Sequence, residues 1–509
     1  MLAKIFSYGI IGLDAFLVQI EVDVSKGLPG TTIVGLPDNA IKESKDRVRS
    51  AIKNSGYKYA KGRVTINLSP ADIKKEGPAF DLPIALGLLA ATEQIPLASL
   101  SKYIFLGELS LDGSVNPVKG ILPIILSMLE KKPEGVIVPH HNALEASLAG
   151  GINIFPVRSL AQTIHFISTP ESVTPFMRTV PATITAKSHD IDFNEVKGQS
   201  FSKRGLEIAA AGGHNVLMIG PPGSGKSMLA KRLATILPEM SRQESLETTK
   251  IHSAVGILQH EEGLITMRPF RSPHHTSSDA AIVGGGSVPK PGEVTLSHNG
   301  ILFLDELPEF NRNVLESLRQ PLEDQCVTIS RATKSLCFPA KFMLVAAMNP
   351  CPCGWFTDPK KECHCSPLQV QKYISRISGP LLDRIDIHLE VPTLPSNELL
   401  KTIPAESSVS IKQRTDQARV VQSKRFEGSF IFTNAQMNHK QIKAHCVLND
   451  ECKRLLKAAI DQLGLSARAY DKILKVARTI ADLDGQEHIQ AEHLSEAIQY
   501  RYLDRNWWG

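Results

Sequence analysis

Apolar and polar positions divide the chain into stretches with different periodicities. Val18, Ile20, Val22 and Val24 alternate with polar residues, which predicts a half-buried strand; Arg63–Leu68 and Val136–Val138 read as further strands. Asn39–Asn54 and Leu82–Thr92 carry helical runs. Residues 1–168 are therefore expected to form an α/β domain of their own. Pro170, Pro175 and Pro181, set among serines and threonines, predict an extended linker over 169–190. The runs Val216–Ile219, Ile301–Leu304 and Lys341–Met348 are apolar with little alternation. That pattern predicts strands of a parallel sheet covered on both faces, within a second α/β domain over 191–400. A helix is expected over Asn313–Leu322 and a β-hairpin over Val327–Phe338. Residues 401–509 return to helical spacing in Lys412–Phe426, Asn434–His445, Glu451–Leu463, Ala467–Leu483 and Ala491–Leu503.

Composition narrows the class. At 509 residues the chain is too long for one core. Apolar residues make up 42% and charged residues 21%, the balance of a soluble globular protein. The net charge of +5 permits nucleic-acid binding without arguing for it. The longest apolar run, Leu82 to Ala91, contains Pro83 and falls short of the roughly 20 residues that span a bilayer. Asp14 interrupts the apolar N-terminus, and no small-residue cleavage site follows; a cytoplasmic protein is expected, with no membrane partner. Eight cysteines in a chain this long are not a disulfide scaffold.

Two motifs carry chemistry. Gly220-Pro221-Pro222-Gly223-Ser224-Gly225-Lys226-Ser227 matches the phosphate-binding loop at every fixed position, between a predicted strand and a predicted helix. Its glycines let backbone N–H groups wrap phosphate oxygens, and the helix N-terminus adds its dipole. Lys226 is expected on the β- and γ-phosphates of ATP, and the Ser227 hydroxyl on Mg²⁺. Ile301–Leu304 runs directly into Asp305 and Glu306. Asp305 is placed to orient the Mg²⁺, and Glu306 to polarise the attacking water. An ATPase core is the expectation.

Three further features remain. Residues 268–292, with Arg268, His274-His275 and Gly284-Gly285-Gly286, read as a turn-rich insertion, its histidines solvated. The hairpin tip is basic, with Arg331 and Lys334. Cys351-Pro352-Cys353 and Cys363-His364-Cys365 form two C-x-C pairs able to close on one tetrahedral Zn²⁺; four reduced thiols are the alternative.

The order of these motifs resembles AAA+ proteins. By that resemblance Gly198-Gln199 lies beside the adenine and Asn349 is the first sensor. Arg384, in Leu382-Asp383-Arg384-Ile385-Asp386, is the finger that reaches a neighbouring subunit's γ-phosphate. Arg468 is the second sensor, with Arg478 as runner-up. Residues 75–83, Lys-Glu-Gly-Pro-Ala-Phe-Asp-Leu-Pro, and 105–118 resemble the catalytic segments of Lon-type proteases. Ala79 stands at the serine position and Ile124 at the position aligned with the lysine, so the resemblance implies a Lon-like fold (ribosomal S5 domain 2-like) without protease chemistry. Taken over nearly the full length, the chain is similar to the bacterial Mg-chelatase-like ComM/YifB family. That resemblance implies an AAA+ core, a C-terminal helical lid, and a hexameric ring that acts on single-stranded or branched DNA as a branch-migration helicase in natural competence. Arg331 and Lys334 would then grip phosphates in the ring's pore. A chelatase-type motor that remodels a partner for metal insertion is the alternative. The terminal Trp507-Trp508 pair is read as packing for the last helix.

Overall fold

The computed structural model describes residues 2–177, 190–258, 263–286, 289–330, 335–356, 358, 361–394, 405–429, 431–463 and 466–501. Arg331, Lys334, Trp507 and Trp508 lie outside the described residues. The chain divides into two compact units: 1–185 with 242–265, and 186–241 with 266–509.

The first unit is built on a seven-stranded mixed sheet. Its order is Gly30–Val34, Arg63–Ser69, Asp14–Ser25, Leu2–Ile11, Tyr103–Phe105, Gly135–Pro139 and Ile154–Val157. The alternating Val18–Val24 run falls in the Asp14–Ser25 strand. It pairs antiparallel with Leu2–Ile11, so that Ile5 stands opposite Ile20, both fully buried. The Asn39–Asn54 helix starts where Asp38 accepts from the Ile41 backbone N–H at 2.8 Å, a side-chain N-cap. The Asp81–Ala91 helix is apolar all round and buried at every residue. Its one charge, Asp81, accepts two bonds from the Arg47 guanidinium, at 2.7 and 3.1 Å.

Helix Arg242–Val255 belongs to this first unit, although the sequence pattern predicts one domain over 191–400. Ser253 Oγ donates to Glu145 Oε1 at 2.5 Å, and the Ser253 carbonyl accepts from the Gly120 N–H at 3.0 Å. The buried face of this helix is Ser245, Thr248, Thr249, Ile251 and Ser253. Hydroxyls rather than aliphatic side chains line most of that face, so no apolar periodicity marks it.

The second unit centres on a five-stranded parallel sheet ordered Phe270–Arg271, Ile301–Leu304, Met343–Met348, Val216–Ile219 and Ile387–Glu390. All three unbroken apolar runs are interior strands, as their patterning predicts. The stretch read as an insertion is corrected at its start: Phe270 and Arg271 pair with Ile301 and Leu302 and extend the sheet. The helix expected over Asn313–Leu322 is two helices, Arg312–Ser317 and Arg319–Asp324. Pro321 sits in the first turn of the second, where a missing N–H is tolerated. The hairpin pairs Cys326–Ser330 with Ser335–Pro339. Beyond the sheet lie helices Ser408–Arg425, His439–His445, Asp450–Leu463, Ala467–Leu483 and Ala491–Gln499. Ile473, Leu474 and Ala477 share one apolar cluster with Val216 and Met218, so these helices and the sheet are continuous in packing. Among the described residues no helix is long and apolar enough to cross a membrane.

Candidate functional site

Parallel register brings the sequence motifs to one edge. Ile219 pairs with Met348, and Leu304 with Ala346. Gly220, Asp305 and Asn349 therefore leave the sheet at the carboxyl ends of neighbouring strands, where open α/β sheets bind ligands.

The loop from Gly220 turns into the Lys226–Ile236 helix through Gly225, at φ +92°, a left-handed conformation that a side chain would strain. Lys226 is largely buried and its Nζ folds back onto the loop, donating to the carbonyls of Gly220 at 2.6 Å and Pro221 at 3.0 Å, and to Asn349 Oδ1 at 3.2 Å. Burial pushes its pKa down to about 8, against the pull of the Asp305 charge. Ser227 Oγ donates to Asp305 Oδ2 at 2.7 Å, while Asp305 Oδ1 accepts from the Glu306 backbone N–H at 3.0 Å. This oxygen pair suits Mg²⁺, a hard cation. Ser224 Oγ is buried without a hydrogen-bond partner in this structure, within a loop whose N–H groups suit phosphate. Gln199, itself left-handed at φ 53°, donates from Nε2 to the Ser224 carbonyl at 2.6 Å, which brings Gly198-Gln199 against the same loop.

Glu306 is held in the left-handed region at φ 54°, ψ 47°, an uncommon backbone for a residue with a side chain. Its Oε2 lies 3.1 Å from His275 Nδ1. The expectation that both histidines are solvated is thus corrected for His275: it faces a candidate catalytic carboxylate. Nothing local in the sequence signals this pair, because the two residues sit on separate strand-end loops.

The arginines separate into three situations. Arg384 pairs with Glu323 and donates to the Pro380 carbonyl, with its side chain 14% exposed. Its segment is fixed from behind: Asn215 Nδ2 donates to the Arg384 carbonyl at 2.9 Å, and the Asn215 N–H donates to Asp386 Oδ2 at 3.2 Å. Arg468 is exposed and pairs at 3.1 Å with Asp383, the residue before Arg384. Arg478, the runner-up, is buried. It donates to Asp482 and to the carbonyls of Glu487 and Gln486, so its guanidinium is spent inside the helical region.

The sulfurs of Cys351, Cys353, Cys363 and Cys365 all lie within 4.8 Å of one another. The Cys353 thiol is brought down to about 6, chiefly by the Trp355 backbone N–H it accepts. In the first unit, Ala79 packs against the apolar cluster that contains Ile124, so neither position offers a nucleophile or a base.

A parallel sheet with a phosphate-binding loop, an Asp-Glu strand end and a helical C-terminal region defines a P-loop nucleotide-binding protein. Residues 192–399 match the family model "Magnesium chelatase, subunit ChlI", residues 20–142 "Subunit ChlI of Mg-chelatase", and residues 405–501 "Magnesium chelatase, subunit ChlI C-terminal". The chain is 46% identical over 510 residues to Competence protein ComM of Haemophilus influenzae, covering 99% of this chain and 98% of that protein. It is 45% identical over 496 residues to the protein YifB of Escherichia coli, covering 97% and 96%. A shorter match, 28% identical over 139 residues, covers 26% of this chain and 24% of Lon protease 2 of Bacillus subtilis. The chain belongs to the ComM/YifB family of Mg-chelatase-like AAA+ proteins.

Proposed function

We propose that this protein is an ATP-hydrolysing ring motor that works on DNA, as a helicase driving branch migration in natural transformation and recombination. The observation that carries the ATPase reading is the meeting of Lys226, Ser227, Asp305 and Asn349 within hydrogen-bond reach at one sheet edge. Lys226 exchanges its loop carbonyls for phosphate oxygens. Ser227 and Asp305 hold Mg²⁺, which when bound neutralises phosphate charge. Glu306 takes the proton of the attacking water, and the Asn349 amide orients that water. Arg384, released from Glu323, completes the site of an adjacent copy, which makes a homo-oligomeric, hexameric ring the working form. Arg468 stands at the edge of the same segment as the second sensor. The four-cysteine loop holds Zn²⁺, the Lon-like first unit lacks protease chemistry, the C-terminal helices form the lid, and the protein works in the cytoplasm.

The DNA part of the reading draws on the printed name of a full-length relative, "Competence protein", and on the basic hairpin tip at Arg331 and Lys334. ATP turnover measured with single-stranded, duplex and branched DNA tests it. Stimulation by branched or single-stranded DNA supports the motor. Turnover indifferent to all three removes DNA as the substrate and favours a chelatase-type motor acting on a partner protein.

A further inference from the structure

The four thiols follow directly on the Met343–Met348 strand that leads to Asn349. Cys351 Sγ is 3.3 Å from Cys353 Sγ and 3.7 Å from Cys363 Sγ, and Cys353 Sγ is 3.6 Å from Cys363 Sγ. Thiolates bound at about 2.3 Å to one tetrahedral Zn²⁺ stand about 3.8 Å apart, so the spacing is that of a single shared ion. A disulfide would pull two sulfurs together and abandon the other pair. A cluster of several metal ions would spread all four. The Gly354 N–H donates to the Cys351 carbonyl at 3.0 Å, which closes the turn that sets Cys353 beside Cys351.

The loop these residues close meets the nucleotide site on two sides. Cys351 is fully buried, and two positions before it the Asn349 side chain accepts from Lys226 Nζ at 3.2 Å. On the other side Gly354, at φ +86°, lies against the phosphate-binding loop: a Cβ there would stand 2.5 Å from Pro222 Cδ. Only a glycine allows both that backbone conformation and that approach.

We infer that Cys351, Cys353, Cys363 and Cys365 bind one Zn²⁺, and that the loop they close is the wall holding the phosphate-binding loop in register, through Gly354 on Pro222 and Asn349 on Lys226. The coupling rests on the reading of that site as the ATP site. The metal site does not. Without the ion, the thiols of Cys351 and Cys353 are no longer tied to those of Cys363 and Cys365, and the surface against Pro222 loosens.

The test uses full-length protein purified without chelator. Elemental analysis should find about one zinc per chain, and Co²⁺ substitution should give the visible bands of a tetrahedral thiolate site. Stripping the zinc with a chelator under reducing conditions should weaken ATP binding by about tenfold, the scale of one positioning hydrogen bond, and added Zn²⁺ should restore it. Cys363→Ser with Cys365→Ser should lose zinc and show the same weakening. Gly354→Ala should retain zinc and the cobalt spectrum yet bind ATP less tightly, because the new methyl meets Pro222. Protein without metal, or cobalt bands of another geometry, overturns the site. Unchanged ATP affinity after stripping, or in Gly354→Ala, overturns the coupling. If zinc-loaded wild type binds no ATP, the nucleotide reading and the coupling fall together, while the elemental and cobalt results still decide the metal site.

Discussion

His275 Nδ1 stands 3.1 Å from Glu306 Oε2, so the carboxylate proposed to activate water is already engaged by a residue from the neighbouring strand's loop. The contact occupies one of the two oxygens that could take a proton from water. His275→Ala should therefore raise basal ATP turnover by a few-fold, the scale of one net hydrogen bond of about 0.5–1.5 kcal/mol, and leave ATP affinity unchanged. Steady-state kinetics beside nucleotide titration check this. A fall in turnover would mean that His275 aims Glu306 productively.

Glu306→Gln should keep ATP binding and lower turnover by about 10²–10⁴-fold, because an amide cannot accept the water's proton. Lys226→Ala should weaken binding itself, since the ammonium proposed to meet the phosphates is gone. Near-normal turnover in purified Glu306→Gln would remove Glu306 from the chemistry.

Arg384→Ala should bind ATP and fail to hydrolyse it. Mixing it with Glu306→Gln should restore part of the activity, as some interfaces then pair an intact Glu306 with an intact Arg384. Verified mixed rings that stay inactive would confine Arg384 to its local pair with Glu323.

Asp386 makes a pH prediction. Burial works to raise its pKa, but His214 at 3.5 Å and Lys472 at 3.8 Å overcome this and hold it below the usual carboxylate range. A depressed folded-state value contributes stability above the unfolded value of about 3.9, lost as pH falls through the folded value. Asp386→Asn should cost about 3–5 kcal/mol near neutrality, the scale for breaking a buried pair. Denaturant unfolding should show the gap to wild type narrowing below about pH 4. A gap constant with pH would mean that the carboxylate's charge is not what stabilises.

Under the proposed DNA reading, Arg331 and Lys334 would act as point charges on phosphates rather than as readers of bases. Replacing both by alanine should weaken DNA binding alike across sequences. The log–log salt slope should flatten by about 0.7 to 0.9 for each phosphate that the variant no longer neutralises. Basal ATP hydrolysis should persist. Binding measured at several salt concentrations decides it; an unchanged slope takes the hairpin out of the DNA path.

What the sequence determined by itself is whatever local order encodes. The runs Val216–Ile219 and Ile301–Leu304 state burial on both faces by lacking alternation, and the loop Gly220–Ser227 states its chemistry because fixed glycines, a lysine and a hydroxyl act within one turn of chain. The Asn39–Asn54 helix was legible through its spacing, and its Asp38 cap lies where such caps lie. Only the tertiary structure decided which distant side chains meet. The His275–Glu306 and Gly354–Pro222 contacts join segments brought together by strand register, and no periodicity along the chain records a register. Phe270–Arg271 is too short a strand to announce itself, and the hydroxyl-lined face of Arg242–Val255 hides its burial from any reading based on apolar residues. Arg478 shows the same limit: by sequence it is the runner-up to Arg468 as second sensor, and only the positions of Asp482, Gln486 and Glu487 in space commit its guanidinium to the interior.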